Sequence, residues 1–205
     1  MEIMARGSKD GVPRFAPPRF EEFPSIARLT CEVVVTEKID GTNAQVHVTE
    51  DGRLYAGSRT RWITPENDNH GFAKWVQEHR DELLTLGPGS HFGEWWGSGV
   101  QRGYGLVKGE KRFSLFNVGR WIAEEDRRTA AKQQVVPGCC GVVPTLYVGV
   151  FSTMAVDAVL MNLGALGSVA SPGFMQPEGI VVWHEKSRTL FKKTLDGDGH
   201  KGAGR

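Results

Sequence analysis

Between residues 43 and 48 the chain reads NAQVHV, apolar at 44, 46 and 48 and polar at 43, 45 and 47. Successive side chains of an extended backbone leave on opposite sides, so a period of two commits this stretch to a strand with one dry face. Asp51-Gly52 then signals a two-residue type I′ hairpin turn, in which both central residues accept positive φ. That turn places Arg59 opposite Ala44 and beside Asn43. It returns the segment GSRT (57–60) to the neighbourhood of Lys38, which lies between a β-branched run, Glu32 to Thr36, and the NAQVHV strand.

The remaining elements follow from the same kind of periodicity. The first 30 residues carry Pro13, Pro17, Pro18 and Pro24 and read as an extended arm with room for one short turn of helix. Asp68 or Asn69 is suited to cap a helix in which Phe72, Trp75, Val76, Leu83 and Leu84 share helical spacing, ended by Gly87-Pro88-Gly89. HFGEWW and KRFSLFNV read as strands, residues 124 to 141 as a surface excursion, and Val142 to Phe151 as a further strand. Ser152 caps a second helix whose Val156, Val159, Leu160 and Leu163 share a face before Gly164 stops it. Two strands, GIVVWH and RTLFKKT, come last. The sum is an α+β domain of mostly antiparallel sheets flanked by helices, spanning 1–195 with 1–30 as the arm. Residues 196–205 read as a flexible glycine-rich tail, and no C-terminal accessory domain is expected.

At 205 residues the chain can bury one sizeable core. A net charge of +1 excludes a strongly basic nucleic-acid coat while leaving a local basic cleft possible. Cys31 and the adjacent Cys139 and Cys140 have neither the even number of a disulfide framework nor the C-x-x-C spacing of a zinc site. A reducing, cytoplasmic setting without a membrane span is expected, since the N-terminus lacks an apolar signal core and residues 142–166 are interrupted by Pro144, Gly149, Asp157 and Gly164.

Several charged residues sit beside apolar strand runs, where they are costly unless paired. Glu94 lies between Phe92 and Trp95-Trp96, Glu178 opens GIVVW, and Lys192 and Lys193 follow Leu190-Phe191. Neighbours on a strand point to opposite faces, so at most one of the two lysines enters a given cleft. Each residue alone has a structural explanation: Phe116 as core, Arg59 as a solvated hairpin residue, Trp95 and Trp96 as packing. Gly97, Gly99, Gly103 and Gly105 do not have the spacing of a dinucleotide loop, and His91 with Glu94 lacks the further ligands of a metal site.

The ordered set EKIDGTN (37–43), GSRT (57–60), HFGEWWG (91–97), FSLFNV (113–118), PEGIVVWH (177–184) and LFKKTL (190–195) resembles the successive motifs of the covalent lysine nucleotidyltransferases. Within them it is most similar to the RNA ligase 2-like branch of ATP-dependent RNA ligases, over residues 32 to 195. The resemblance implies a nucleotidyltransferase (adenylation) domain of the ATP-grasp-like ligase type. Its cofactors would be ATP and Mg²⁺ (or Mn²⁺), and its partners RNA ends in a nicked duplex or single strand, with the protein a monomer.

By the same resemblance Lys38 is the nucleophile that takes AMP from ATP. Only the neutral amine can attack, and neighbouring cations and a bound metal are the means of favouring it. Lys192 would neutralise the α-phosphate and Glu178 would organise the metal. Phe116 and Val181 would sandwich adenine, Glu94 would accept a ribose hydroxyl, and Arg59 would lie near ribose and phosphates. Asn43 would lie near phosphate and metal and Glu37 at the base edge; Ile39 and Lys193 complete the implied ATP-binding set. Two departures stand out: the last motif reads Lys192-Lys193-Thr194 in place of lysine, any residue, lysine, and Asn117 follows Phe116 where the better-known phage member has an acid. A capping-type guanylyltransferase, a DNA ligase and a non-catalytic RNA-binding domain of the same fold remain alternatives.

Overall fold

The computed structural model describes residues 19–123 and 133–197. In chain order the strands are β1 (Glu32–Lys38), β2 (Thr42–Val48), β3 (Leu54–Ser58), β4 (Trp62–Ile63), β5 (Gly89–Gly97), β6 (Lys111–Leu115), β7 (Trp121–Ile122), β8 (Gln134–Val135), β9 (Cys140–Val142), β10 (Thr145–Val150), β11 (Gly179–His184) and β12 (Thr189–Thr194). The helices are α1 (Phe72–Glu78), α2 (Arg80–Leu84) and α3 (Thr153–Leu166). Among these residues no helix is long and apolar enough to cross a membrane.

Two sheets carry the architecture. The first runs β10-β1-β11-β12, antiparallel throughout; the second runs β4-β3-β2-β5-β6-β9, with β9 added parallel to β6. The alternation read in β2 is realised: Ala44, Val46 and Val48 pack with Phe72, Ala73, Val76 and Leu83 beneath the second sheet. Val33 and Val35 of β1, with Ile180 and Val182 of β11, pack on Val156, Leu160 and Leu163 of α3. A smaller cluster of Ile39, Trp96, Tyr104 and Val143 sits where the chain crosses from β1 to β2. Lys38 to Gly41 is that crossing, so the K-x-D-G motif joins the two sheets.

The β2–β3 hairpin differs from expectation by one residue. Its loop holds three residues, because Thr49 pairs with Arg53 (N–H to C=O 2.9 Å) and the N–H of Gly52 closes on the carbonyl of Thr49 at 3.0 Å. Only Gly52 has positive φ, at 75°; the Thr49 hydroxyl, accepting from the Arg53 N–H at 2.9 Å, replaces what a second left-handed residue would supply. Ala44 therefore pairs with Ser58, and Arg59 falls one step beyond, in the row of Asn43. A one-residue slip exchanges the two faces of a strand.

The helices also differ. The single helix expected after Asp68 is two short ones broken at His79. Asp68 still caps it, accepting the N–H groups of Ala73 at 2.7 Å and Lys74 at 3.1 Å. Ser152 caps α3 through the Ala155 N–H at 3.0 Å, but Gly164 lies inside that helix and Gly167, at φ 87°, ends it. No helical turn occurs between residues 19 and 30. Of the surface excursion expected at 124–141, residues 124–132 lie outside the described residues, as does most of the tail. The rest of the excursion is corrected: β8 pairs with β7, β9 with β6, and Val136 and Cys140 are buried, because this segment closes the edge of the second sheet.

Glu37 is the first site residue that the fold reassigns. Lys38 and Glu37 leave β1 on opposite faces, and Glu37 turns to the α3 side, 1% exposed. Its Oε1 accepts the Ser168 hydroxyl at 2.6 Å, and its Oε2 accepts the N–H groups of Val169 and Ala170, both at 2.9 Å. The carboxylate is consumed in holding the loop after α3, and in this arrangement it offers nothing to a base edge. Replacing Glu37 by Ala strands three donors in the interior and is expected to lower stability by about 3 kcal/mol. Ser168→Ala, which removes one donor to Glu37 and also the acceptor of the buried Ser171 N–H at 3.0 Å, should lower it by about 2 kcal/mol in the same urea denaturation series.

Candidate active site

The end of β1 sets the site. Residues 34, 36 and 38 form the face of β1 turned away from α3, and the register of β11 places Gly179 opposite Lys38 and Val181 opposite Thr36. Glu178 thus lies one residue before the paired stretch, and its Oε2 meets Lys38 Nζ at 2.5 Å. Val181 is paired in turn with Lys192 on β12, so Val181 and Lys192 share the face of Thr36 and Lys38.

Lys193 goes the other way. It pairs with Ile180, shares the α3 face, and its ammonium bonds Asp157 of α3. The expected ATP contact from Lys193 is therefore corrected: its partner is Asp157, and strand alternation is the reason. Ile39 is likewise corrected. Its side chain is 3% exposed and packs with Trp96, Tyr104 and Val143, where it anchors the crossing.

Gly41 owes its place to close approach. Its φ is not left-handed, but a Cβ there would lie 2.4 Å from the Trp95 carbonyl oxygen and 2.8 Å from Trp96 Cβ. Such proximity lets the Gly41 N–H reach Glu94 Oε1 at 3.1 Å, while Asn43 Nδ2 donates to Glu94 Oε2 at 3.3 Å. Asn43 and Glu94 are direct partners across β2 and β5. Burial pushes the Glu94 carboxyl up to about 7, the charges of Glu178 and Asp40 push the same way, and Lys38 and the Gly41 N–H oppose them. Lys38, Glu94, Glu178 and Asp40 consequently form one electrostatic unit.

Two residues missed by sequence reasoning hold this unit together. Tyr104, fully buried, accepts the Asp40 N–H at 3.0 Å and the Glu178 N–H at 3.4 Å through its hydroxyl, which donates to the Lys38 carbonyl at 3.4 Å. Arg102 donates to Asp40 Oδ2 at 3.0 Å, the Gln176 carbonyl at 3.2 Å and Asp196 Oδ2 at 2.5 Å. One loop, 101–105, thereby fastens the Lys38–Gly41 crossing, the approach to β11 and the exit of β12. Tyr104 has φ 50° and ψ 31°, between Gly103 and Gly105 that are also left-handed. The glycine spacing seen in the sequence is the trace of this turn, and a tyrosine in that region is held against its own preference.

The other expected residues are placed as follows. Phe116, just past β6, is 39% exposed, and its N–H bonds the Phe92 carbonyl at 3.0 Å. Arg59 is exposed in the turn whose Ser58 N–H closes on the Arg61 carbonyl at 2.8 Å. His91 is buried against the Gly87 carbonyl at 2.8 Å and plays a packing role. A cavity of about 920 Å³ opens between the sheets and is lined by Val34, Val148, Trp96 and Ser114, without Lys38 among its walls. It lies on the Lys38 face of β1 and runs from Val34 toward the end of the strand, since Thr145 of its wall pairs with Thr36 and Pro144 accepts the Glu37 N–H at 2.9 Å.

The donor set around Lys38 is all oxygen: Glu178, Glu94 and Asp40. Oxygen donors are what Mg²⁺ and Mn²⁺ take. Asp40 is held by Arg102, and Glu94 by the Gly41 N–H and Asn43, which leaves Glu178 as the carboxylate that would hold such an ion beside the amine.

A family model described as RNA ligase matches residues 31–194. Among solved structures, a variant of the Naegleria gruberi RNA ligase with ATP and Mn aligns at a TM-score of 0.54 and 17% identity, over 80% of this chain and 49% of that one. A second variant with AMP and Mn gives 0.54 and 17% over 80% and 50%, and the ligase with pyrophosphate gives 0.53 and 18% over 80% and 50%. No curated protein matches this chain. The chain spans about half the length of these solved structures, and at such identities the likeness is one of fold. With its mostly antiparallel sheets and a family match that runs from just before β1 to the end of β12, this chain belongs to the RNA ligase family.

Proposed function

We propose that this chain is the adenylating unit of an ATP-dependent RNA ligase that joins 3′-hydroxyl and 5′-phosphate ends. The observation that carries the reading is the pairing of Lys38 Nζ with Glu178 at 2.5 Å on a strand face shared with Val181 and Lys192. Lys38 Nζ, as the neutral amine, attacks the α-phosphorus of ATP; a P–N bond forms, the bond from the α-phosphorus to pyrophosphate breaks, and the nitrogen gives up one proton to solvent and keeps one in the phosphoramidate. The AMP then passes to a 5′-phosphate, and a 3′-hydroxyl displaces it.

Glu178 has two tasks. Its Oε2 accepts from the Lys38 ammonium, and the same carboxylate would hold a divalent cation, which would screen phosphate charge. Lys192 supplies positive charge for the α-phosphate, Phe116 and Val181 the faces for adenine, and Glu94 and Arg59 contacts to ribose and phosphate. Tyr104 and Arg102 act by positioning.

For RNA, the second sheet offers an exposed ring cluster. His47, Tyr55 and Trp62 lie with ring centroids 5.9 to 6.5 Å apart, and His47 follows Asn43 and Gln45 on one face of β2. Exposed rings on the face that carries Asn43 suit stacked bases. All three cysteines are free thiols, which suits a reducing, cytoplasmic setting.

Incubation with labelled ATP and Mg²⁺ should leave a denaturation-resistant label on the wild type and none on Lys38→Ala; an equal label on both excludes Lys38. Labelling by GTP in preference to ATP would reassign the donor. Lys192→Ala should reduce the rate at least 100-fold, whereas Lys193→Ala, whose partner is Asp157, should stay within about three-fold. Removing the Tyr104 hydroxyl should slow adenylation about 10-fold in Tyr104→Phe with little change in KM for ATP, because it loosens the nucleophile and leaves the nucleotide contacts in place.

Glu94 gives a pH signature. Its carboxyl titrates higher folded, near 7, than unfolded, near 4.5, so the folded chain binds the proton more tightly. This group's contribution is fully present below pH 4.5 and is lost as pH rises to 7. Urea denaturation of the ligand-free protein at pH 5 and pH 8 should show wild type losing about 2 kcal/mol relative to Glu94→Gln between the two. Parallel profiles would place the buried charge elsewhere.

A further inference from the structure

Away from the catalytic cleft, the break between α1 and α2 brings together a different donor set. His79 Nδ1 lies 3.0 Å from Glu82 Oε1, and Glu82 Oε2 accepts the Cys139 N–H at 3.0 Å. One ligand atom each from His79, Glu82 and Cys139 lies within 4.8 Å of the others. We propose that these three residues form a second cation site, one that takes a borderline-soft divalent ion such as Zn²⁺.

Imidazole, carboxylate and thiolate together make a set that zinc accepts and magnesium does not. Two-residue spacing rules on cysteine could not find it, since the thiol comes from the loop before β9 and the other two donors from the helical elbow. An ordinary i,i+3 helix pair accounts for His79 and Glu82 but not for the arrival of Cys139.

The surroundings resemble an outer ligand shell. Trp75 lies 5.0 Å from the His79 ring and restricts its orientation, and the Cys139 N–H fixes one carboxylate oxygen while the other faces the imidazole. Orientation of ligands by such neighbours is what tunes bound metals. Bond lengths of about 2.0 to 2.3 Å set neighbouring tetrahedral donors roughly 3.3 to 3.8 Å apart, so the His79–Glu82 separation needs to open by a few tenths of an ångström. The side chains of His79 and Glu82 are 35% and 48% exposed, which gives an ion a way in and water a fourth position. Cys140, whose Sγ is 3.8 Å from that of Cys139, remains in the core. An ion here would tie the α1–α2 elbow to the loop that carries Gly138, Cys139 and Cys140 along the wall of the intersheet cavity.

Co²⁺ is the probe, added to the full chain after reduction and removal of metals by a chelator. The wild type should develop the near-ultraviolet charge-transfer absorption of a cobalt thiolate, saturating at one equivalent and abolished by Zn²⁺. Cys139→Ser should lack the band, and His79→Gln should bind at least 10-fold more weakly, both remaining folded by circular dichroism. An ion at Glu178 has only oxygen donors and gives no such band, so the two sites are read separately. Absence of the band in the wild type at saturating Co²⁺, or its persistence in Cys139→Ser, overturns the proposal.

Discussion

A lysine ammonium and a glutamate carboxylate, 2.5 Å apart on neighbouring strands, are the constraint around which the rest of this structure is arranged. Neither is fully exposed: the Lys38 side chain is 26% and that of Glu178 10% accessible. A pair removed from water in this way contributes little to folding, because desolvation of the two charges offsets most of their attraction. Its value is positional. The β1–β11 register brings the two together, and a one-residue slip of β1 would turn Lys38 into the α3 core.

The loop at 101–105 explains how the register is kept at the point where the chain leaves one sheet for the other. A hydroxyl and a guanidinium reach segments of the chain that are more than 60 residues away in sequence, and both do so from a backbone held partly in the left-handed region. Strain of that kind persists only where the surroundings over-determine it. Here they do: the Tyr104 ring is stacked on Phe174 at 4.6 Å and set edge-on to Trp96 at 5.4 Å. Packing and hydrogen bonding therefore hold the same side chain, and through it the end of the strand that carries the amine.

Part of the candidate site's layout was legible in the sequence, because strand alternation and charged residues that are costly beside apolar runs marked its positions, while the residue roles came from the motif resemblance. Lys38, Glu178, Val181 and Lys192 fall on one strand face, and Glu94 meets Asn43 across a ladder that the alternation of NAQVHV had already oriented. What could not be read was tertiary. Glu37 looked available, yet two backbone N–H groups from a loop more than 130 residues on claim it. The hairpin slipped by one residue because a threonine side chain replaced a backbone requirement, and Gly164 failed to stop α3 because an interior glycine only weakens a helix that packs well. Tyr104 and Arg102 gave no signal beyond glycine spacing, since their partners are mostly main-chain groups whose positions only the fold defines.

The two adjacent lysines show how far strand geometry alone can divide labour. Lys192 and Lys193 have the same chemistry and neighbouring α-carbons, yet one faces the strand row of the nucleophile and the other an aspartate on the covering helix. A motif written as lysine, any residue, lysine would place both of its cations on one face, because residues two apart on a strand point the same way. Here the position two after Lys192 is Thr194, which is paired with Gly179 and whose hydroxyl donates to the Gly197 carbonyl at 2.8 Å. The second cation of the cleft is therefore absent from this strand. Arg102 is the guanidinium nearest in role, but three acceptors from three segments already hold it. The positive charge that β12 brings to the Lys38 face thus rests on Lys192 alone, while Lys193 fastens the strand to the helix beneath it.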